Sequence, residues 1–174
     1  MSSDAAVTVR PGNRDEVPVL QRIERDADAA YADAGHPELS DGEVIPSNVA
    51  LAAIDRGDLM VAATRHGPVG WIYIGRLGPE LCIGQMSVAP EFGRRGIGTM
   101  LLEYAIDQAR RAGERTIVLN TQGDVPWNRP WYERHGFVVL GPEEWTPAMR
   151  TLTEQQREIG LNWNTRVHMR LTVS

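Results

Sequence analysis

The chain has 174 residues, 42% hydrophobic and 24% charged, which is enough to bury the core of one globular domain without cross-links. Eighteen basic residues, all of them arginine, stand against 23 acidic ones, and the net charge of −5 argues against broad binding to nucleic acid or to an anionic membrane. Cys82 is the only cysteine, which excludes an internal disulfide and favours a reducing compartment. Residues 1–10 lack the apolar core of a signal peptide and no apolar run approaches ~18 residues, so we predict one cytoplasmic domain over residues 1–174.

Strands and helices alternate along the first half of the chain. Three apolar runs separated by "HGP" and "GPE" predict an antiparallel meander. The polar segment "AGHPELSDGEVIP" predicts a loop, and Ser47 and Gly57 are suited to begin and end the helix that follows it. In order, the patterns predict a strand ending at Pro11, a helix from Asp15 to about Ala32, the loop over 34–46, a helix over 47–57, and strands at 59–65, 69–77 and about 81–88.

The second half of the chain continues the alternation. A helix over about 98–112 has Arg110 and Arg111 at the negative end of its dipole and Gly113 at its C-cap. The patterns then predict a buried strand at 116–121, a helix at 129–135, a strand at 137–141, a helix at 147–159 and a closing strand at 166–172. The fold class is therefore α/β, with a mixed, mostly antiparallel sheet of about seven strands flanked by helices.

Three glycines and two arginines lie where the strand at 81–88 passes into the helix at 98–112, in the sequence "EFGRRGIGT". A helix N-terminus with glycines around it can bind an anion through backbone N–H groups, and arginine adds donors suited to phosphate. A P-loop is excluded because the chain contains no lysine, and a dinucleotide fingerprint is excluded because Leu101 or Arg95 stands where a glycine or small residue is required. A tight turn with solvated arginines remains the structural alternative.

Two motifs, in order, resemble those of the GNAT superfamily of N-acetyltransferases. "SVAP", an aromatic residue and basic-Gly-Ile-Gly resemble its acyl-CoA motif, and "TIVLNT" followed by "WNRPWYERHGF" resembles its last motif. The resemblance implies a GNAT-like fold, acetyl-CoA as cosubstrate, Tyr132 as the acid that protonates the leaving thiolate, and Asn128 as a contact of the pantetheine arm. It further implies that acetyl-CoA is bound by the main chain of Met86 and Val88 and by the turn residues Arg94, Arg95, Gly96, Ile97, Gly98 and Thr99.

The sequence departs from the family pattern at two positions. Gly93 occupies the first place of the acyl-CoA motif, where the family has Gln or Arg, and Arg94 is the candidate replacement donor. Many relatives carry a glutamate base on the preceding strand, where this chain has Gly84 or Gln85. Candidates for the base are Glu80, Asp124, His36 and a water held by Gln85, each of which also fits a surface or turn role.

No other chemistry is indicated. Cys82 lies in mid-strand, which favours an inert buried thiol, and the spacing of His36, His66, His135 and His168 does not indicate a metal site.

The expected activity is direct acetyl transfer to the amine of a small molecule. The loops at 34–46 and 122–128 are candidates for the acceptor pocket, where acidic side chains and Trp127 would favour a cationic amine. The alternatives are a non-catalytic acyl-CoA-binding module and an acetyltransferase acting on a protein, peptide or aminoacyl-tRNA amine. Trp145 and Trp163 are expected to close the core or to form a contact in a possible homodimer.

Overall fold

The computed structural model of the protein describes residues 6–174, so the first half of the segment assessed for a signal peptide lies outside the described residues. Seven strands form one hydrogen-bonded sheet in the order β1-β2-β3-β4-β5-β7-β6. The strands are β1 (Thr8–Pro11), β2 (Leu59–Thr64), β3 (Gly67–Leu77), β4 (Glu80–Val88), β5 (Thr116–Gln122), β6 (Val138–Val139) and β7 (Arg166–Thr172). The helices are α1 (Val17–Asp28), α2 (Ala30–Asp33), α3 (Pro37–Ser40), α4 (Ser47–Arg56), α5 (Ile97–Arg111), α6 (Arg129–Arg134) and α7 (Pro147–Glu158).

The sheet is mixed, as predicted. β1 pairs with β2, β2 with β3, β5 with β7 and β6 with β7 in antiparallel register. β4 and β5 are parallel and pair at Leu81–Ile117 and Cys82–Val118, whereas β5 and β7 pair along their full length from Thr116–Thr172 to Gln122–Arg166. The predicted α/β class with about seven strands and flanking helices is confirmed.

The chain divides into two compact units, which we describe separately. The first comprises the chain up to Gly75 together with Gly84–Ala105. Its core joins α1 and α4 to β2 and β3, and the indole of Trp71, fully buried, donates to the Leu20 carbonyl at 3.0 Å. This hydrogen bond fixes α1 on the sheet, because leaving a buried indole N–H without a partner costs free energy.

The second unit comprises Arg76–Ile83 and Ile106–Ser174. Cys82, Val118, Leu140 and Met149 form its apolar core under α7. Thr146 caps α7 by accepting from the Met149 N–H at 3.2 Å. The prediction of a single domain over residues 1–174 stays a prediction.

Several predicted boundaries differ from the structure. The helix predicted at 15–32 is divided into a 3₁₀ turn, α1 and α2, with Ala29 between the helices, and the loop predicted at 34–46 contains the single turn α3. Ser47 does not cap α4, because Pro46 is the N-cap residue and the Ser47 hydroxyl accepts from Gln21 Nε2 at 3.1 Å. The strand predicted at 137–141 is reduced to two residues of β6. Gly57 and Gly113 end their helices in the left-handed conformation, as predicted.

The ion pairs are built from arginine, because the chain has no lysine. Arg170 binds Glu80 with two hydrogen bonds of 2.8 and 3.0 Å, and Arg76 binds Glu114. Across residues 6–174, no helix is long and apolar enough to span a membrane.

Candidate active site

The junction between β4 and α5 brings the predicted donor-binding residues of the first unit together. α5 begins at Ile97. The Met100 N–H donates the first helical hydrogen bond, to the Gly96 carbonyl at 2.9 Å. The N–H groups before that bond point out of the helix end, which also carries the positive pole of the helix dipole. Gly98 and Thr99 lie in this first turn and are partly exposed.

A close approach at Gly70 positions this first turn. A Cβ at Gly70 would lie 3.1 Å from the Ser87 carbonyl oxygen and 3.2 Å from Ile97 Cγ2. A Cβ at this position would press on both atoms, so glycine favours the close packing of α5 over β3 and β4. Gly70 is a site-forming residue that the sequence analysis missed, since a glycine inside a strand carries no sign of its partner.

The turn before α5 has unusual backbone angles at two residues. Gly96 has φ +78°, and a Cβ placed on it would have no atom within 4 Å, so its backbone is open to an incoming group. Arg94 has φ +60°, the only positive φ of a non-glycine residue among residues 6–174. Such a conformation costs roughly 1–2 kcal/mol outside glycine, which is typical of functional turns.

The two arginines of the turn are exposed, but Arg95 is oriented by its neighbour. Its guanidinium carbon lies 5.4 Å from the centroid of the Phe92 ring, within cation–π range. Phe92 is itself packed against the core of the first unit. The charge of Arg95 is thus held beside the N-terminus of α5 by an anchored ring.

The strand β4 offers main-chain groups but no carboxylate between Gly84 and Val88. Met86 and Val88 are half-buried. Gln85 Nε2 donates to the Ser87 hydroxyl at 3.1 Å. At Gly84 a Cβ would lie 2.9 Å from Cδ1 of Tyr73, so the tyrosine ring covers the position where a side chain would stand.

Asn128 and Tyr132 belong to the second unit and are brought together by α6. Asn128 is the N-cap residue, and its carbonyl accepts from the Tyr132 N–H at 3.0 Å. Both side chains are buried, with 8% of each exposed. The Tyr132 ring makes edge contacts with Trp131 at 5.0 Å and Phe137 at 5.4 Å, which hold it in one orientation.

The candidate bases are distributed over the molecule. Glu80 is bound by Arg170 and accepts from the Thr116 hydroxyl at 2.9 Å, so it connects β4, β5 and β7. His36 is buried and its Nδ1 lies 3.1 Å from Glu38 Oε1. Asp124 lies in the loop after β5. Within residues 6–174, no group of three or more His, Cys, Asp or Glu could hold a metal ion.

Three buried groups have strongly shifted acidities. Burial raises the pKa of the Cys82 thiol to about 11, with the charge of Glu80 adding to it, which disfavours a thiolate nucleophile. Burial raises the pKa of Glu24 to about 7, against the opposing hydrogen bond from the Ile45 N–H. Burial lowers the pKa of His168 to about 4, where the ring lies between Trp145 and Trp163. These tryptophans therefore close the core of the second unit around His168.

Residues 55–139 match the family model described as an acetyltransferase (GNAT) domain. The match spans β4, the glycine–arginine turn, α5 and both Asn128 and Tyr132. That segment of the chain is similar to a GNAT acetyltransferase domain. The resemblance to the GNAT superfamily is thereby confirmed, and the seven-stranded sheet with a parallel β4–β5 pair agrees with it.

Solved GNAT structures share the fold of this chain at low sequence identity. N-acetylglutamate synthase from Neisseria gonorrhoeae, crystallised with coenzyme A and N-acetyl-glutamate, superposes with a TM-score of 0.74 at 16% identity. The superposition covers 99% of this chain and 36% of that one, so the chain spans about a third of that protein's length.

Two further structures match over nearly their whole length. The PaiA N-acetyltransferase from Thermoplasma acidophilum, crystallised with coenzyme A, has a TM-score of 0.69 at 14% identity, covering 96% of this chain and 99% of that one. The ribosomal-protein-S18-alanine N-acetyltransferase from Escherichia coli has a TM-score of 0.67 at 15% identity, covering 97% and 95%.

Proposed function

We propose that the protein is an N-acetyltransferase that moves the acetyl group of acetyl-CoA directly to the amine of a small molecule. The observation that carries the proposal is the junction of β4 and α5, where a helix N-terminus, the open backbone of Gly96 and two exposed arginines converge within a GNAT domain. Coenzyme A in the crystals of two similar proteins supports the choice of donor.

Most of the proposed donor contacts belong to the first unit. The N–H groups of Gly96, Ile97, Gly98 and Thr99 bind pyrophosphate oxygens, and Arg94 and Arg95 add charge-assisted hydrogen bonds. Main-chain groups of Met86 and Val88 pair with the amides of the pantetheine arm, and Asn128 adds a side-chain contact to that arm.

The transfer step needs no acyl-enzyme. The neutral amine attacks the thioester carbonyl, a C–N bond forms, the C–S bond breaks, and the electron pair leaves on sulfur. Tyr132 donates its phenolic proton to that sulfur, since a phenol with an ordinary pKa near ~10 is protonated at neutral pH. The proton lost by the nitrogen returns to the phenolate through water, which balances the cycle.

The acceptor is a small molecule bound beside the loop at 34–46, which we call the acceptor loop. Its exposed carboxylates, Glu38, Asp41 and Glu43, support a cationic acceptor because they attract an amine before it loses its proton. The similar proteins act on acceptors as different as an amino acid and a ribosomal protein, so the fold itself leaves the acceptor class open.

The test is release of free thiol from acetyl-CoA, followed against a panel of diamines, amino acids, aminoglycosides and peptides. We expect turnover with at least one small cationic amine and an N-acetyl product of the matching mass. Turnover with peptides alone would replace the small-molecule acceptor by a protein one. Binding of coenzyme A without turnover on any amine would overturn the proposal.

A further inference from the structure

The backbone N–H and C=O of Ile45, near the end of the acceptor loop, are both hydrogen-bonded to side chains of α1. Gln21 Nε2 donates to the Ile45 carbonyl at 2.9 Å, and the Ile45 N–H donates to Glu24 Oε2 at 2.9 Å. Gln21 also donates to the Ser47 hydroxyl at 3.1 Å. Two residues three positions apart on one helix face thus pair with both backbone polar groups of one residue, in the way that a neighbouring strand would.

This contact lies in the interior of the first unit. Glu24 is 5% exposed and Ile45 8% exposed, and the Ile45 side chain belongs to the core that joins α1 to α4. A buried carboxyl group is costly, and an apolar side chain of similar size would pack there at no such cost. The specific gain from a carboxyl at this position is the hydrogen bond to the Ile45 N–H.

The other end of the acceptor loop is also fixed. The N–H groups of Ala34 and His36 donate to the Tyr31 carbonyl at 3.1 and 2.9 Å. The exposed residues Pro37, Glu38, Asp41, Gly42 and Glu43 lie between these two attachments. The position of the loop relative to α1 therefore depends on its two ends, and at the Ile45 end the attachment is made by side chains of α1.

We propose that Gln21 and Glu24 are positioning residues that fix the acceptor loop through the backbone N–H and C=O of Ile45 and thereby set the affinity for the acceptor. The proposal rests on the proposed function, which assigns the acceptor to this loop. It predicts an effect on acceptor binding that is separate from donor binding, because the contacts of the donor lie on β4, the turn before α5, and α6.

The test compares Glu24→Ala and Gln21→Ala with Asp26→Ala, which changes an exposed residue of the same helix. We expect acceptor KM to rise about 5- to 20-fold in the first two, the loss of roughly one to two hydrogen bonds, with kcat and coenzyme A affinity within about twofold. Glu24→Gln keeps an oxygen that can accept from Ile45, so it should restore acceptor KM to within about twofold of wild type.

A purely structural role gives a different result. If Glu24→Ala lowers Tm but leaves acceptor KM unchanged, or if Glu24→Gln fails to restore KM, the positioning proposal is overturned. Amide hydrogen exchange without acceptor separates this outcome from failure of the proposed function. Glu24→Ala should speed exchange at residues 38–45 and leave α5 unchanged, and equal exchange in both proteins would overturn the proposal even if no amine is turned over.

Discussion

At the residue scale, the phenol of Tyr132 gives the sharpest test of the chemistry. Tyr132→Phe removes one oxygen and keeps the ring that packs against Trp131 and Phe137. If the hydroxyl protonates the leaving thiolate, kcat should fall roughly 10²–10⁴-fold while coenzyme A affinity changes little. Both constants and the melting temperature would be measured on one preparation. Normal turnover with ~1 kcal/mol of lost stability would remove Tyr132 from the mechanism.

A substitution at Arg95 separates the contribution of its charge to coenzyme A binding from an effect on folding. Arg95→Ala should weaken coenzyme A by on the order of 1.5–3 kcal/mol, the range for a charge-assisted hydrogen bond, and should leave pantetheine unaffected. Phe92→Leu keeps the apolar packing but removes the ring beneath the guanidinium, so we expect a smaller loss of the same kind. Calorimetric titration with both ligands is the measurement. Equal losses for coenzyme A and pantetheine would indicate misfolding.

Sequence analysis predicted candidate site residues that are recognisable by residue type and spacing. It missed residues whose role depends on a contact with a distant part of the chain. Arg95, Gly96 and Tyr132 could be named because their motif carries them. Gly70 and the pairing of Glu24 with Ile45 could not, because each depends on which distant segment lies opposite. The pairing of Glu80 with Arg170, ninety residues away along the chain, could not be predicted either.

At the element scale, the hairpin of β3 and β4 depends on an aromatic ring lying over a glycine. Gly84→Ala would put a Cβ 2.9 Å from Cδ1 and 3.1 Å from Cε1 of Tyr73, which overpacks the pair. We expect a loss of about 1–3 kcal/mol in the free energy of unfolding. The same substitution in a Tyr73→Ala background should cost close to nothing. A penalty that persists in that background would show that backbone freedom, and not the ring, requires glycine.

The helices show which boundaries the spacing of apolar residues can predict and which it cannot. α5 and α7 were predicted to within a residue or two because their apolar positions repeat over three or more turns. The division at Ala29 was not predicted, since that residue keeps helical angles of φ −54° and ψ −28° and no glycine or proline marks it. α3 has four residues, one turn, which is too short to show a period.

At the scale of the whole molecule, two buried groups make stability depend on pH in opposite directions. Glu24 binds its proton more tightly when folded, so its contribution is full below pH 4.5 and is lost as pH rises to about 7. His168 binds its proton less tightly when folded, so its contribution is full above pH 6.5 and is lost as pH falls to about 4. Each effect is at most about 3 kcal/mol.

Urea unfolding of wild type, Glu24→Gln and His168→Gln between pH 4.5 and 7.5 checks this balance. We expect Glu24→Gln to gain stability relative to wild type as pH rises. The deficit of His168→Gln relative to wild type should shrink as pH falls, because wild type then loses the contribution of its neutral imidazole. Parallel pH curves for all three proteins would contradict the assignment of these two groups.

The arginine-only ion pairs have a further consequence for a protein that handles an activated acetyl group. Thioesters acetylate exposed lysine side chains without any catalyst, and such damage neutralises the cation of a salt bridge. Guanidinium groups stay protonated and are therefore poor nucleophiles at any pH at which the protein folds. The pairs of Arg170 with Glu80 and Arg76 with Glu114 are therefore chemically inert towards acetyl-CoA. With no lysine among its 174 residues, the chain offers acetyl-CoA no side-chain amine.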